Sequence, residues 1–218
     1  VKGRPKKAGG ECLNWERLPQ NKKGAYARET WAMSIKRILV PVETVDAGGA
    51  ALKAAMTIAK ELQASLEALH IRERPHAPPS GYYPLGAVVS EDYIEALEKA
   101  AVERAARLKK MFEETVRDAP SARWIEREGA APFDIGIAAR VADLVVFSKT
   151  EEAAKFRETS NLEEVLFQAG RPVLISPPVA REAFPRRILF AWNGSREAAR
   201  AMAAATPFFT RAEAVAVV

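Results

Sequence analysis

Hydrophobic residues along the chain follow two alternating patterns. Short continuous apolar runs begin at Arg37 and again at Arg187, and each run starts Arg-Ile-Leu and ends in a short acidic or amide side chain. A run without polar alternation predicts a strand covered on both faces, as in the middle of a parallel sheet. Longer segments with apolar residues three or four positions apart follow these runs and predict amphipathic helices. The chain is therefore predicted to be an α/β protein built from right-handed strand–helix–strand units.

Five strands and four helices are expected before the pattern restarts. The first helix is predicted to have Asp46 as its N-cap, and the long second helix to have Ser90. That second helix is expected to bury a stripe made of Ile94, Leu97, Ala101, Ala105, Leu108 and Phe112. The predicted strands are 36–43, 66–71, 122–127, 143–147 and 173–175, and the predicted helices are 46–62, 90–119, 132–141 and 160–170. This order predicts an open, five-stranded parallel sheet.

The fourth helix carries the clearest start and stop signals. Ser160 and Glu163 stand three residues apart and match a capping box, which predicts that the helix begins at Ser160. Gly170 suits the left-handed position that follows a helix. Residues 148–159 are then expected to be a polar loop between the fourth strand and this helix.

A strand–helix–strand pattern begins again at Arg187, with a helix at 195–206 and a strand at 214–218. We therefore predict a tandem protein: a basic leader (1–33), a first domain (34–178), a linker (179–186) and the start of an incomplete second domain (187–218). Two strands and one helix bury too little apolar surface to be stable alone. The second segment is expected to lean on the first domain or to lack its C-terminal half.

The net charge of +5 comes from the first 32 residues, which hold eight Lys or Arg and three Glu. The remaining bases and acids balance, so the folded part has no net field to attract polyanions, and nucleic acid is an unlikely partner. Met33 is the expected native start. The single cysteine, Cys12, fits a reducing compartment. No apolar run approaches the roughly 20 residues of a membrane helix, and no secretory leader opens the chain, so a cytoplasmic protein is expected.

Candidate catalytic or metal-binding residues are few. His70 lies within an apolar strand, where a hydrogen-bonded core histidine is the expected role, and His76 lies in a Pro-rich loop and is expected to be solvated. One cysteine and two unpaired histidines make no metal-ligand spacing. Glu43 could act as a general base, but the sequence shows no partner for this carboxylate at the end of a strand. The loop residues Tyr82 and Tyr83 could stack on a ligand, but exposed tyrosines are common in loops. We predict no metal site and no enzyme.

Four motifs, taken in order with the β-α-β-α-β-α-β-α-β pattern, resemble the universal stress protein family. They are Arg37-Ile-Leu-Val-Pro-Val-Glu43, Ala142-Asp-Leu-Val-Val-Phe-Ser148, Gly170-Arg-Pro-Val-Leu-Ile175 and Trp192-Asn-Gly-Ser-Arg-Glu-Ala-Ala199. The resemblance covers 34–218. It implies a cytoplasmic tandem protein with a Rossmann-like, adenine-nucleotide-type α/β fold. It also implies that the fifth strand can support pairing, either between the two repeats or in a homodimer.

Some members of that family bind ATP, and the resemblance assigns their nucleotide-binding positions to this chain. An Asp at the end of the first strand corresponds to Glu43, beside Pro41, and a base-contacting backbone position corresponds to Ile71. The phosphate-binding run Gly-x2-Gly-x9-Gly-Ser/Thr corresponds to residues 148–160. Its predicted binding positions here are Ser148, Thr159 and Ser160. In the second repeat the equivalents are Asn193, Gly194 and Ser195, although a plain turn with Ser195 as helix cap is the more frequent use of Asn-Gly-Ser.

The run 148–160 contains no glycine and is about two residues short of the family motif. Glycines allow backbone N–H groups to approach phosphate, and side chains at these positions obstruct that approach. Acidic residues are also frequent there, and an acid near a helix N-terminus replaces an anion instead of recruiting one. The site of the first domain is therefore predicted to be degenerate, with no cofactor.

Three hypotheses follow. The first is a non-catalytic stress-response module that acts through domain pairing and an unknown protein partner. The second is a protein that binds ATP, with slow hydrolysis, in its second domain. The third is a nucleic-acid binder that depends on residues 1–32 alone.

Overall fold

The computed structural model of the chain describes residues 34–73, 91–117, 121–149, 155–179 and 183–218. Strands and helices alternate throughout these ranges. The strands are β1 (Arg37–Pro41), β2 (Ser65–Arg72), β3 (Ala122–Glu128), β4 (Leu144–Ser148), β5 (Val173–Ser176), β6 (Arg187–Phe190) and β7 (Ala214–Val217). The helices are α1 (Val45–Leu62), α2 (Glu91–Thr115), α3 (Ala131–Ala139), α4 (Lys155–Glu164) and α5 (Arg196–Phe209), and a π-helical turn (Val165–Ala169) continues α4.

The first five strands form one sheet in the order β3-β2-β1-β4-β5. Every neighbouring pair is parallel. This confirms the predicted open, five-stranded parallel sheet. The order reverses between β1 and β4, so the carboxyl ends of these two central strands border the crevice where open α/β sheets usually bind ligands.

Two hydrophobic cores cover the two faces of this sheet. Ile38 and Val40 of β1 belong to the core under α1 and α2. Leu39, between them, belongs to the core under α3 and the π-helical turn. Because alternate residues of a strand point to opposite faces, a strand buried on both faces needs apolar residues at every position. The continuous apolar run after Arg37 has this cause.

Two predictions about α1 and α2 were wrong. The N-cap of α1 is Thr44, and Asp46 lies in the first turn. Leu97 of α2 is exposed, whereas the C-terminal half of the same stripe, from Ala101 to Phe112, is buried. The fully buried residues of α2 all lie in its C-terminal half, from Ala101 onward. The helix ends at Thr115, four residues before the predicted end near residue 119, and the proposed cap Ser90 lies outside the described residues.

The predicted start of α4 was also wrong. The helix begins at Lys155, and Ser160 lies in its second turn instead of at its N-cap. Residues 155–160 contain no glycine or proline, so nothing local prevents the helix from extending toward its N-terminus. The predicted end was confirmed, because Gly170 follows the π-helical turn with φ of 64°.

The C-terminal segment forms a separate two-stranded parallel sheet of β6 and β7 with α5. Ser195 caps α5 as predicted, because its hydroxyl accepts a hydrogen bond from the amide of Ala198 at 3.1 Å. Phe184, just before β6, is buried in the core under α1. It stacks on Phe208 of α5 with 5.5 Å between ring centroids. The segment therefore packs on the first five-stranded unit, as expected for one with so small a core of its own.

Candidate functional site

A small cavity lies at the carboxyl ends of β1 and β4, beside the first turn of α1. Its volume is about 10 Å³. It is lined by Pro41, Glu43, Ala47, Gly48, Ala51, Phe147, Ser148 and Asn161. A cavity of this size holds roughly one water molecule. Pockets for drug-sized ligands measure roughly 300–1,000 Å³, so an adenosine does not fit into this cavity as it stands.

The structure brings together three of the predicted site residues of the first domain. Pro41, Glu43 and Ser148 line the cavity. Ile71 is buried in the core under α3 and is not among the described lining residues. Thr159 is exposed and Ser160 is half-buried, both within α4. The predicted set is therefore split between the cavity, the core and the helix.

The position of α4 decides what Thr159 and Ser160 can do. Only the first four N–H groups of a helix lack a partner within it. Since α4 begins at Lys155, Thr159 and Ser160 lie beyond these four positions. Their amides are in the range where helical N–H groups bond to the carbonyl four residues earlier. A phosphate cradle of the usual kind, with free amides at a helix N-terminus, does not form at these residues.

Sequence reasoning missed Asn161. The residue is buried, and its Oδ1 has no hydrogen-bond partner among the described residues. It faces the cavity from the side of α4. The available signal was a polar residue at a core-facing helical position, directly before Leu162 and four residues before Val165. The amide narrows the space that a nucleotide would need.

Gly48 places α1 unusually close to β1. A Cβ atom at this position would lie 2.8 Å from Cγ1 of Val42. Only glycine permits such a close approach without displacing the valine. The first turn of α1 therefore lies directly over the end of β1, which is one reason why the cavity is small.

Glu43 lies beside His70, a pairing that the sequence analysis also missed. The His70 ring is fully buried, and its Nδ1 is 2.8 Å from the carbonyl oxygen of Val42. This distance makes Nδ1–H the donor to Val42 and leaves Nε2 as the acceptor nitrogen. Oε1 of Glu43 is 3.9 Å from the same Nδ1. The predicted role of His70 as a hydrogen-bonded core residue is confirmed.

His70 is expected to make the stability of the protein depend on pH. Burial is the largest effect and lowers the pKa of His70 below 6.5. The hydrogen bond to Val42 and the nearby Glu126 raise the pKa, and the nearby Arg104 and Arg72 lower it further. Below pH 6.5 His70 becomes protonated in the unfolded chain but stays neutral in the folded protein, down to its lowered pKa. The free energy of unfolding should then fall with acidification, by up to about 1.4 kcal/mol per pH unit, until the folded pKa is reached.

The measurement is chemical denaturation between pH 7.5 and 5, on the wild type and on His70→Gln. In the Gln variant the free energy of unfolding should depend less on pH, by up to about 1.4 kcal/mol per pH unit, because glutamine does not titrate. Equal slopes for the two proteins would show that His70 does not contribute.

The three predicted residues of the second segment form a turn and a helix cap. Asn193 Oδ1 accepts a hydrogen bond from the amide of Ser195 at 3.0 Å. Gly194 has φ of 75°, in the left-handed region that favours glycine. With the Ser195 hydroxyl bonded to Ala198, both polar side chains are engaged in local structure.

Other chemistry finds little support in the described ranges. They contain no group of three His, Cys, Asp or Glu side chains placed to hold a metal ion. None of the helices described there has the length and hydropathy needed to cross a bilayer. His76, Tyr82 and Tyr83 lie outside these ranges.

Comparison with known proteins identifies the family. The universal stress protein family model matches residues 34–177, and the chain belongs to that family. Comparison with curated protein sequences gives no match.

Solved structures agree with this fold. The universal stress protein UspA from Lactobacillus plantarum aligns with 65% of this chain and 97% of its own, at a TM-score of 0.50 and 22% identity. A universal stress protein from Archaeoglobus fulgidus aligns with 85% of this chain and 66% of its own, at a TM-score of 0.55 and 18% identity. Another structure, described as the universal stress protein from Archaeoglobus fulgidus in complex with dAMP, aligns with 65% of this chain and 98% of its own, at a TM-score of 0.36 and 16% identity. A likeness that low does not bear on what this chain binds.

Proposed function

We propose that this universal stress protein is a non-catalytic stress-response module whose first domain does not bind nucleoside triphosphates tightly. One observation carries the proposal: the cavity at the carboxyl ends of β1 and β4 measures about 10 Å³. Glu43, Asn161 and the close turn at Gly48 occupy the space where a nucleoside would enter. Opening that space would require several packed side chains to move together.

The charges near the cavity support the same proposal. The Glu43 side chain is almost fully buried beside a neutral histidine. Its carboxyl group lines the cavity and offers no positive charge to a triphosphate. No compensating cradle of free helix amides forms at Thr159 and Ser160, because α4 begins at Lys155 and both residues lie beyond its first four amides.

We further propose that residues 187–218 begin a second repeat and that the protein acts through pairing of domains or copies and through a protein partner. The order β6-α5-β7 repeats β1-α1-β2, with parallel strands in both sheets. The Archaeoglobus fulgidus structure aligns with 85% of this chain, whereas the Lactobacillus plantarum structure aligns with 65%. Both observations support a tandem arrangement.

Calorimetric titration of the full chain with Mg-ATP tests the first part of the proposal. The expected result is no saturable heat up to about 1 mM, a limit that corresponds to roughly 4 kcal/mol of binding free energy. Native mass spectrometry of the freshly purified protein should show the unliganded mass. Micromolar binding, or a co-purified nucleotide, would show that the cavity opens and would overturn the proposal.

The alternative is ATP binding by the second domain. Asn193 stands at the end of β6 as Glu43 stands near the end of β1, and an amide can bond to a ribose or an adenine edge. Its Oδ1 and the Ser195 hydroxyl are, however, already used in the turn and the cap. Binding that is lost in Asn193→Ala and kept in Glu43→Ala would favour this alternative.

A further inference from the structure

A second and much larger cavity lies at the opposite edge of the sheet. It is an open groove of about 930 Å³. Its walls are the C-terminal half of α1, the residues just before β2 and β3, and residues 183–186, which precede β6. The cavity at Glu43 lies at the carboxyl ends of the strands, whereas this groove lies at their amino ends. The two sites are therefore separate.

The floor of the groove is apolar. Phe184 and Leu66 are buried members of the core under α1, and Met56 is half-buried against that core. All three line the groove. Methionine and phenylalanine side chains adapt well to a flexible hydrocarbon ligand. The volume is near the upper end of the roughly 300–1,000 Å³ that is usual for small-molecule pockets.

The rim of the groove is cationic. Lys53 and Lys60 are two helical turns apart on α1, so they project from the same face, and both are exposed. Arg186 stands across from them, with its guanidinium 5.6 Å from the centre of the Phe184 ring. Glu61 is the one acid among the described lining residues, and it is 3.5 Å from Arg186. Three cations and one acid leave an excess of positive charge that favours an anionic ligand.

We propose that this groove binds an amphipathic anion: a single acidic head group on a flexible apolar body, of the type of a long-chain carboxylate. The head group lies between Lys53, Lys60 and Arg186, where it meets three cations at the solvent boundary. The apolar body lies along Met56 and Phe184, and its burial supplies most of the affinity. The groove is separate from the first cavity, so an anion can bind here whether or not that cavity binds a nucleotide.

Binding would also stabilise the packing of the C-terminal segment. Phe184 contributes both to the groove and to the stack on Phe208. A ligand that contacts Phe184 binds only when residues 183–186 are docked on α1. Ligand binding should therefore raise the melting temperature, because it draws the equilibrium toward the docked state.

The test is a calorimetric titration of the full chain with dodecanoate, below its micelle-forming concentration. Saturable binding with a stoichiometry of one is expected. Dodecyltrimethylammonium, with a similar apolar chain and a cationic head, should bind at least tenfold more weakly, and acetate, which lacks the chain, should give no saturable heat. Equal binding of the cationic surfactant, or no binding of dodecanoate, would overturn the proposal.

A pair of double variants locates the site. Lys53→Glu with Lys60→Glu should weaken dodecanoate binding at least tenfold. Lys109→Glu with Lys110→Glu, which makes the same charge change on exposed positions of α2 away from the groove, should leave it within twofold. Equal effects of the two double variants would indicate a nonspecific response to net charge and would reject the groove as the site. Circular dichroism verifies that both variants fold.

Discussion

Replacing Phe184 by alanine is expected to lower the free energy of unfolding by about 3–5 kcal/mol, the range for deleting a buried phenylalanine ring. Phe184 is 7% exposed. Its ring stacks on Phe208 at an interplanar angle of 8°, and it is part of the core under α1. The substitution removes the Phe184 ring and leaves a cavity between Phe208 and the core under α1. Urea denaturation followed by circular dichroism measures the change.

The same substitution at Phe167 is the matched control. Phe167 is 77% exposed, and a surface change of this kind alters stability by about 0.5 kcal/mol or less. Hydrogen exchange adds a local readout, because the amides of β6 should exchange faster in Phe184→Ala while those of β1 keep most of their protection. If Phe184→Ala were no more destabilising than Phe167→Ala, residues 183–186 would not be docked on α1.

Replacing Phe190 by alanine is expected to have the second large effect, about 3–5 kcal/mol on the stability of the C-terminal segment. Phe190 is 9% exposed, on the inner side of β6. It meets Phe209 of α5 edge-on, with ring centroids 5.8 Å apart. Trp192 adds a second ring at 6.1 Å. In a segment of two strands and one helix, this ring is a large share of the core.

The measurement is hydrogen exchange resolved by segment, with Leu189→Ala as the control. Leu189 is the neighbouring residue of the same strand but is 68% exposed, so its truncation should cost little. Loss of protection in β6, β7 and α5 is expected for Phe190→Ala alone. Protection that survives in that variant would mean that the segment is held by its contacts with the first unit and has little core of its own.

Local sequence patterns were sufficient for the fold of the first unit. The continuous apolar run after Arg37 predicted a central strand because both faces of a parallel sheet are covered, and β1 supplies alternate residues to two cores. The signals at Gly170 and Ser195 were read correctly as a helix end and a helix cap. Such signals depend on the backbone conformation of a few neighbouring residues, which the sequence carries directly.

The candidate site was harder to predict because its parts are distant in sequence. The absence of glycine from 148–160 predicted a loop that binds phosphate weakly. The capping-box motif predicted that α4 begins at Ser160, and this prediction was wrong. The helix extends back to Lys155. A capping box is a preference for a helix start, and helix propensity in the preceding residues can outweigh it.

The sequence by itself therefore determined the order of strands and helices, the α/β class and the family resemblance, since these depend on periodicity and short motifs. Tertiary structure alone decided the pairing of Glu43 with His70, the closing of the cavity by Asn161 and the docking of Phe184 on α1. It also decided that Leu97 stays exposed although it continues an apolar stripe. These outcomes depend on which distant elements meet and how closely they pack, and the periodicity of a single element contains no record of its neighbours.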